Sequence, residues 1–331
     1  MSGRTVVVLR ALGLGDYLTG LPALRAIRRA FPEHRVVLLA PEWLRPLVDA
    51  TAPVDELRSH PGLVAVPADL HHADVAVDLH GRGPLSQPLL ADAAPRRLVC
   101  FAHPELAFTG GGARWEADEH EVLRWCRMLE HAAIPSAPHD LYFEPPPPEL
   151  VPGLLGATVL HPGASSAARR WPPDRFVEVG RHLHEAGHAL VVSGGSGERP
   201  LVDRIVGELG VPVRRFVGRT TLELAALVGH ARLVVAGDTG VAHLATATRV
   251  PSVVLFGPVS PRHWGPPEDA GSHAALWAGR TGDPHGTVVD PGLLDIGPAE
   301  VIQAIDRISV APNRRAEPAL VGPAGPGVGG G

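Results

Sequence analysis

The stretch VVVLRALGLGD, residues 6–16, decides the fold of the N-terminal half. Its apolar start, Val6–Leu9, predicts a strand that is buried on both faces. Apolar residues then recur at helical spacing over 18–27, which predicts a helix that kinks or restarts at Pro22. The glycines of the stretch permit a tight turn between strand and helix. The sequence therefore predicts a strand–helix unit with Asp16 at the N-terminus of the helix.

Short apolar runs alternate with helical patterns along the rest of the chain. Strands that are apolar throughout indicate parallel sheets covered by helices on both faces. We therefore predict an α/β protein with two Rossmann-like, doubly wound parallel sheets. The last helix of the first half is predicted over Val122–Ala133. Further strands are predicted at 36–39 and 75–77 in the first half, and at 158–160, 189–192, 213–217, 233–236 and 253–256 in the second.

Four consecutive prolines, residues 145–148, mark the boundary between the halves, because proline cannot continue a helix or a central strand. We predict a first domain at 1–143, a stiff linker at 144–152 and a second domain at 153–310. The tail, 311–331, is rich in proline, glycine and alanine and is predicted to be disordered. Ligands of such sheets bind beyond the carboxyl ends of the strands, so the cleft between the domains is the expected site.

Composition and charge exclude several classes of protein. The chain has 331 residues and a net charge of −5, which argues against a protein that binds nucleic acid by neutralising phosphates. All 30 basic residues are arginine. Because lysine is absent, Schiff-base chemistry and a Walker A loop are excluded.

The cysteines and the apolar runs bear on the compartment. Cys100 and Cys126 lack the spacing of a zinc motif or a disulfide framework, which indicates a reduced compartment and no metal site. The N-terminal apolar run is too short for a signal peptide, and no stretch approaches the roughly 20 apolar residues that span a bilayer. We therefore expect a cytoplasmic protein without a transmembrane segment.

A loop rich in small residues and arginine follows the strand predicted at 158–160. It reads HPGASS over 161–166 and continues to Arg169 and Arg170. Small residues let backbone N–H groups approach an anion, and guanidinium groups match the geometry of phosphate. The alternative is a solvated loop that Trp171 fastens to the core. Spacing alone leaves both interpretations open.

The motif GDTGVAH, residues 237–243, follows another predicted strand and opens a helix. A helix N-terminus carries partial positive charge and free N–H groups, so it suits a phosphate group. Asp238 can accept hydrogen bonds from sugar hydroxyls. For His243 alone, a satisfied and partly buried histidine is the favoured interpretation. The turn Phe256-Gly257-Pro258 predicts a close backbone approach after the last of the predicted strands.

Asp16 also has two interpretations. Spacing alone favours a helix-capping aspartate over a catalytic one, since helix N-termini strongly prefer this residue type. The turn before Asp16 departs from the dinucleotide-binding pattern G-x-G-x-x-G, because Leu18 stands where the third glycine would be. A nicotinamide-dependent oxidoreductase is therefore the weaker alternative for this domain.

These motifs, in this order, resemble glycosyltransferase family 9, the bacterial ADP-heptose–lipopolysaccharide heptosyltransferases. The sequences VDLHG at 77–81 and HEVL at 120–123 add to the resemblance, which extends to about Arg307. It implies a GT-B fold, in which two Rossmann-like domains face each other across a cleft. It also implies inverting, metal-independent transfer of a sugar, a heptose, from an ADP-linked donor to a glycan or other hydroxyl acceptor, with no cofactor.

The resemblance further implies roles for single residues. Asp16 takes the position of the catalytic base. The N-terminal domain faces the acceptor, with Gly15, Asp78 and His80 on that side. The implied partners are a nucleotide sugar and a glycan or lipid-linked glycan, which is compatible with peripheral membrane association. The C-terminal domain holds the donor through Gly163, Arg169, Arg170, Asp238, Thr239, Gly240, His243 and Gly257.

Two positions depart from the family pattern. Arg169 stands where the family usually has lysine, which keeps the charge but changes its shape and reach. Val259 stands where the family tends to have threonine, which removes a hydroxyl group on the phosphate side. A GT-B-like protein that binds a nucleotide sugar without turnover is therefore a second alternative.

Overall fold

The computed structural model of the protein describes residues 4–267 and 272–308. The predicted disordered tail, 311–331, lies outside the described residues. Two parallel sheets dominate the structure, which confirms the predicted α/β class. None of the helices in the described part is long and apolar enough to cross a membrane.

The first sheet has five strands in the order β3-β2-β1-β4-β5, all parallel. Its central strand, β1, contains the strand predicted at Val6–Leu9. The elements of this half are β1 (Thr5–Leu9), α1 (Leu14–Ala30), β2 (Arg35–Ala40), α2 (Arg45–Thr51), β3 (Glu56–Ser59), β4 (Val75–Asp78), α3 (Ser86–Asp92), β5 (Arg97–Val99) and α4 (Glu121–His131).

The second sheet has six parallel strands in the order β11-β10-β9-β6-β7-β8, which is the order of the first sheet with one strand added. The elements of this half are β6 (Thr158–His161), α5 (Pro173–Glu185), β7 (Leu190–Gly194), α6 (Arg199–Leu209), β8 (Val213–Val217), α7 (Thr221–Gly229), β9 (Leu233–Gly237), α8 (Gly240–Ala247), β10 (Ser252–Phe256), α9 (Pro261–Trp264), β11 (His273–Trp277), α10 (Pro291–Asp295) and α11 (Pro298–Arg307).

Three local predictions need correction. Helix α1 is continuous through Pro22, so of the two predicted outcomes, a kink or a restart, the restart is wrong; a continuous buried segment from Tyr17 to Leu24 holds the helix against neighbouring elements. Helix α4 ends at His131, and Ala133 lies beyond it with a φ of 60°. The sequence pattern missed β11, whose sequence HAALW has little strand propensity and which forms by pairing with β10.

The proline-rich linker lies along the second half of the chain. A β-carbon on Gly229 would lie 2.5 Å from Cβ of Pro145, so the glycine makes room for the linker. The His230 Nε2 atom is 2.8 Å from the carbonyl oxygen of Pro146. Both sheets fall within the predicted domain ranges, and the exact domain boundaries stay a prediction.

One hydrophobic cluster extends from the first sheet to the second. It includes Val6 and Leu21 of the first half together with Val234 and Leu244 of the second, all fully buried. Helices α1 and α8 pack against each other within this cluster, as do α2 and α7 at a second contact. The two halves therefore share an apolar interface that resembles a domain interior.

Candidate active site

The N-terminal ends of α1 and α8 meet between the two sheets. Each helix follows a buried strand directly, α1 after β1 and α8 after β9. A β-carbon on Gly15 would lie 2.7 Å from Cδ2 of His243, and one on Gly240 would lie 2.8 Å from Cβ of Leu14. Only glycine permits this approach, and the contact brings the carboxyl edges of the two sheets to a common site.

Asp16 lies on the first turn of α1 and has two functions in this geometry. Its Oδ2 atom accepts a hydrogen bond of 3.1 Å from the backbone N–H of Gly13, the N-cap residue. Asp16 therefore caps the helix, although as its third residue and not as the N-cap itself. The same carboxylate interacts electrostatically with Asp238 and His243 of the second domain. Asp16 can therefore cap α1 and at the same time lie in the cleft between the domains.

Asp238 and Arg169 form a polar pair on the loops that are predicted to bind the donor. The Arg169 Nη1 atom donates to the carbonyl oxygen of Asp238 at 3.2 Å and lies 3.8 Å from its carboxylate. Burial raises the pKa of Asp238 to about 6, and Arg169 opposes that rise. Arg169 also donates to Ser165. The Arg169 Nε and Thr239 Oγ1 atoms are buried and have no hydrogen-bond partner among the described residues.

The His243 ring is packed against Trp264 in an edge-on arrangement, with the ring centroids 5.8 Å apart. Burial lowers the pKa of His243 to about 4, so its imidazole is neutral at pH 7. The described part of the chain offers this ring no hydrogen bond. His243 is therefore partly buried as expected, but it is not a satisfied core histidine.

Arg170 departs from the predicted arrangement. Its side chain is exposed, and its Nε atom donates to the carbonyl oxygen of Ala164 at 2.9 Å, away from the Asp238 pair. Its neighbour Trp171 is buried and donates to the carbonyl oxygen of Ile296 at 2.9 Å. The two interpretations of this loop were an anion-binding loop and a solvated loop held to the core by Trp171. Trp171 does hold the loop to the core, and of the two arginines only Arg169 contacts Asp238.

Two predicted glycines of the donor side make room for neighbouring groups. A β-carbon on Gly163 would collide with the carboxylate of Glu198. One on Gly257 would lie 3.1 Å from Cβ of Leu293 and 3.4 Å from the carbonyl oxygen of Ala168. Both positions therefore hold the loops at the carboxyl edge close together.

On the side predicted to face the acceptor, Asp78 is fully buried at the end of β4. Its carboxylate accepts hydrogen bonds from Ser86 Oγ at 2.7 Å and from the backbone N–H of His80 at 2.9 Å. Burial raises the pKa of Asp78 to about 6. Asp78 thus holds the turn in shape, while the half-buried His80 interacts electrostatically with Asp16.

Arg10 holds the first turn of α1 in place, although no role was predicted for it. Its buried guanidinium donates to the carbonyl oxygen of Asp16 at 2.5 Å and to Thr19 Oγ1 at 3.1 Å. It lies 3.6 Å from a carboxylate oxygen of Glu121 and 4.9 Å from the ring centroid of Trp125. The sequence did contain a signal for this role. An arginine that directly follows a buried strand is shielded from water, so its charge needs partners within the protein.

A second contact across the cleft involves α9. The Asp118 carboxylate lies 2.8 Å from Arg262 and 3.1 Å from the His263 ring. The His120 Nε2 atom is 3.0 Å from the carbonyl oxygen of Gly265. These groups lie far apart in sequence, so no local pattern indicated them. Within the described ranges, no group of three or more His, Cys, Asp or Glu side chains has the geometry of a metal site.

Two doubly wound domains whose carboxyl edges meet at one site define a fold of the GT-B class. Residues 116–278 match the model of glycosyltransferase family 9 (heptosyltransferase). This part of the chain, just under half of its length, therefore belongs to glycosyltransferase family 9, and the relatives of the chain are heptosyltransferases. This assignment favours glycosyl transfer over the nicotinamide alternative.

Curated relatives agree with the assignment. Lipopolysaccharide heptosyltransferase 2 of Escherichia coli (strain K12) is 24% identical over 304 residues, which cover 77% of this chain and 83% of that protein. Lipooligosaccharide heptosyltransferase 2 of Haemophilus influenzae is 29% identical over 158 residues. That second match covers 44% of this chain and 45% of the relative, so it spans less than half of either protein.

Solved structures have the same fold. ADP-heptose lipopolysaccharide heptosyltransferase II of E. coli superposes with a TM-score of 0.73 and 18% identity, over 92% of this chain and 98% of that one. The family 9 glycosyltransferase of Veillonella parvula gives a TM-score of 0.75 and 20% identity, over 92% and 97% of the two chains. At these identities the likeness shows the fold alone.

Proposed function

We propose that the protein transfers a heptose from an ADP-linked donor to a hydroxyl group of a lipopolysaccharide-type glycan, with inversion and without a metal ion. The observation that carries this proposal is the close approach of Gly15 to His243 where α1 contacts α8, which places Asp16 near enough to Asp238 and His243 to interact with them electrostatically. A carboxylate from one domain thereby lies beside the loops of the other domain that suit a diphosphate.

The chemical step is an in-line displacement at the anomeric carbon of the donor. Asp16 takes the proton of the acceptor hydroxyl as that oxygen forms a bond to the anomeric carbon. The bond between the anomeric carbon and the diphosphate oxygen breaks, and the electron pair leaves with the nucleotide diphosphate. Attack from the face opposite the leaving group inverts the configuration. General-base catalysis of this kind contributes on the order of 10²–10⁴-fold to a rate.

The leaving group gains negative charge, which the donor side can stabilise. Arg169 supplies a full positive charge, and its buried Nε atom has no partner among the residues described. The N-terminus of α8 adds backbone N–H groups and partial positive charge, with the buried Thr239 hydroxyl beside them. Because His243 is neutral at pH 7, it can only exchange hydrogen bonds with the donor. Our mechanism therefore requires neither a metal ion nor a cofactor.

The names of the relatives support the choice of donor and acceptor. Lipopolysaccharide heptosyltransferase 2 and ADP-heptose lipopolysaccharide heptosyltransferase II name the sugar, the nucleotide and the glycan of those proteins. Arg169 in place of lysine keeps the charge beside the phosphates. A cytoplasmic location and peripheral contact with a membrane that carries the acceptor stay predictions.

Calorimetric titration with ADP, UDP and GDP in the presence of a chelator tests the donor site. We expect ADP to bind most tightly, and Asp238→Asn and Thr239→Val to weaken its binding at least tenfold. A preference for UDP or GDP would overturn the ADP-linked donor. If none of the three nucleotides binds, the donor-site proposal is wrong.

Incubation with ADP-heptose and deacylated lipopolysaccharide core tests the transfer itself. We expect a product heavier by one heptose unit, formed equally with and without the chelator, and with the anomeric configuration opposite to that of the donor. ADP binding without any transfer would favour the alternative of a non-catalytic nucleotide-sugar-binding protein.

A further inference from the structure

Two histidine rings at the carboxyl edge of the first sheet have ring nitrogens without partners. His60 follows β3 directly and is 2% exposed. Neither of its ring nitrogens has a hydrogen-bond partner among the described residues, and the same holds for Nδ1 of His80. Burial of an unpaired polar group lowers stability, so most buried polar groups are paired.

Other buried histidines of this chain follow the usual rule. The Nδ1 atom of His161 is 2.9 Å from Ser193 Oγ, and that of His188 is 2.7 Å from Thr158 Oγ1. In both cases a hydroxyl on the neighbouring strand is the partner. His60 has no such hydroxyl within the described part of the chain, so it differs from an ordinary core histidine.

His60 lies on the acceptor side of the site. Its backbone N–H donates to the carbonyl oxygen of Ala40 at 2.9 Å, which holds it beside the end of β2. Its ring is close enough to His80 to interact electrostatically, and His80 interacts in the same way with Asp16 and Arg10. His60, Asp16 and His80 follow β3, β1 and β4, so these polar groups form a row along the carboxyl edge of the first sheet.

The chemistry of this row suits hydroxyl groups. A neutral imidazole has one N–H donor and one acceptor nitrogen, which matches the hydroxyls of a sugar ring. An anionic ligand would meet the carboxylate of Asp16, and the positive charge of Arg10 is already opposed by Glu121 at 3.6 Å. A polyhydroxylated neutral group is therefore the better match.

We propose that His60, with His80, binds the hydroxyl groups of the acceptor sugar and so positions its nucleophile at Asp16. This inference rests on the proposed function. The segment at 61–66 that follows His60 forms neither helix nor strand, and Gly62 has a φ of 144°. Because the ring is buried, our proposal requires that this segment moves aside to admit the sugar.

The first test is His60→Phe, which keeps a ring of similar size and removes both nitrogens. We expect the KM for deacylated lipopolysaccharide core to rise at least tenfold, with a smaller change in kcat and unchanged affinity for ADP by calorimetry. Because the unpaired nitrogens are gone, we also expect the Tm to rise by about 2–4 °C. A purely structural histidine would not produce greater stability together with a weaker acceptor interaction.

The matched control is His34→Phe. His34 also has a buried ring nitrogen without a partner among the described residues, but it lies before β2, at the opposite edge of the sheet. We expect its KM for the acceptor to stay within twofold of the wild type. His60→Gln, which keeps one donor and one acceptor, should restore most of the acceptor affinity and replaces His60→Phe if that variant does not fold.

The outcomes separate this inference from the proposed transfer. Unchanged acceptor KM in His60→Phe overturns the role of His60, whatever the Tm. If the wild type transfers nothing, binding of the same oligosaccharide is measured directly by calorimetry. Binding that is lost in His60→Phe supports the inference although the transfer proposal fails. No binding by the wild type overturns the inference and the proposed acceptor together.

Discussion

Gly15 of the first domain and His243 of the second lie so close that a β-carbon on Gly15 would be 2.7 Å from Cδ2 of the imidazole. Real side chains do not tolerate such a distance without movement. Gly15, in the first turn of α1, therefore limits how far apart the two domains lie at this contact. The distance between Asp16 and the loops proposed to bind the donor depends on the same contact.

We expect Gly15→Ala to lower kcat/KM for transfer about 100-fold, because a displacement of about 1 Å between reacting groups can cost that much. Steady-state kinetics and the Tm are measured together. Gly207→Ala is the control, since Gly207 lies on the exposed face of α6 and a β-carbon there meets nothing within 4 Å. Activity of Gly15→Ala within twofold of the wild type would contradict the proposed coupling.

Asp16→Asn should lower kcat at least 100-fold while ADP affinity stays within threefold. Asparagine keeps an oxygen that can accept the hydrogen bond from Gly13, so we expect α1 and the Tm to be retained. Transfer rates and calorimetry with ADP are the measurements. Asp49→Asn, on the exposed face of α2, controls for the loss of one negative charge. Near-normal turnover of Asp16→Asn would show that another group is the base.

Arg169 and Arg170 should differ sharply although they are adjacent. Arg169→Gln removes the charge beside Asp238, and we expect ADP affinity to fall at least tenfold. Arg169→Lys should retain part of that affinity, because the charge remains but the planar donor group does not. Arg170→Gln should change it less than threefold, since its side chain is exposed and bonded to Ala164. Equal losses at both positions would contradict the geometry described above.

Asp78 should contribute to the dependence of stability on pH. Because its pKa is raised from 3.8 to about 6, the folded protein binds more protons than the unfolded chain between these values. The free energy of unfolding therefore falls as pH rises through this window, by on the order of 2–3 kcal/mol for this group. Asp78→Asn should remove that part of the slope, measured by urea unfolding from pH 4 to 7. The exposed Asp92→Asn should leave the slope unchanged.

The sequence predicted the elements whose signal is local. Apolar runs such as Val6–Leu9 are strands because burial on both faces leaves few other choices. The tight turn between β1 and α1 depends on neighbours along the chain and was likewise predicted. Pro22 misled the prediction, because propensity is local while the burial that holds α1 together is not.

The candidate site could be predicted only in part. Asp16, Asp238 and His243 follow strands of parallel sheets. Their position at the carboxyl edge of a sheet is therefore independent of the conformation of the loops. The direction of a side chain depends on its partners, and these were not visible for Arg170 or Asp78. His60 differs from other buried histidines only because its ring nitrogens have no hydrogen-bond partner among the described residues. No sequence pattern indicates the absence of a partner.

The apolar cluster that includes Val6 of the first sheet and Val234 of the second has a consequence for how the protein unfolds. Domains joined by a flexible tether melt independently, whereas layers that share one interior lose their packing together. Differential scanning calorimetry should therefore give a single endotherm in which the calorimetric and van't Hoff enthalpies agree. Two resolved transitions would mean that the halves are thermodynamically separate. In the single-transition case, a substitution in the first half of the chain, such as Leu21→Ala, also destabilises the second half.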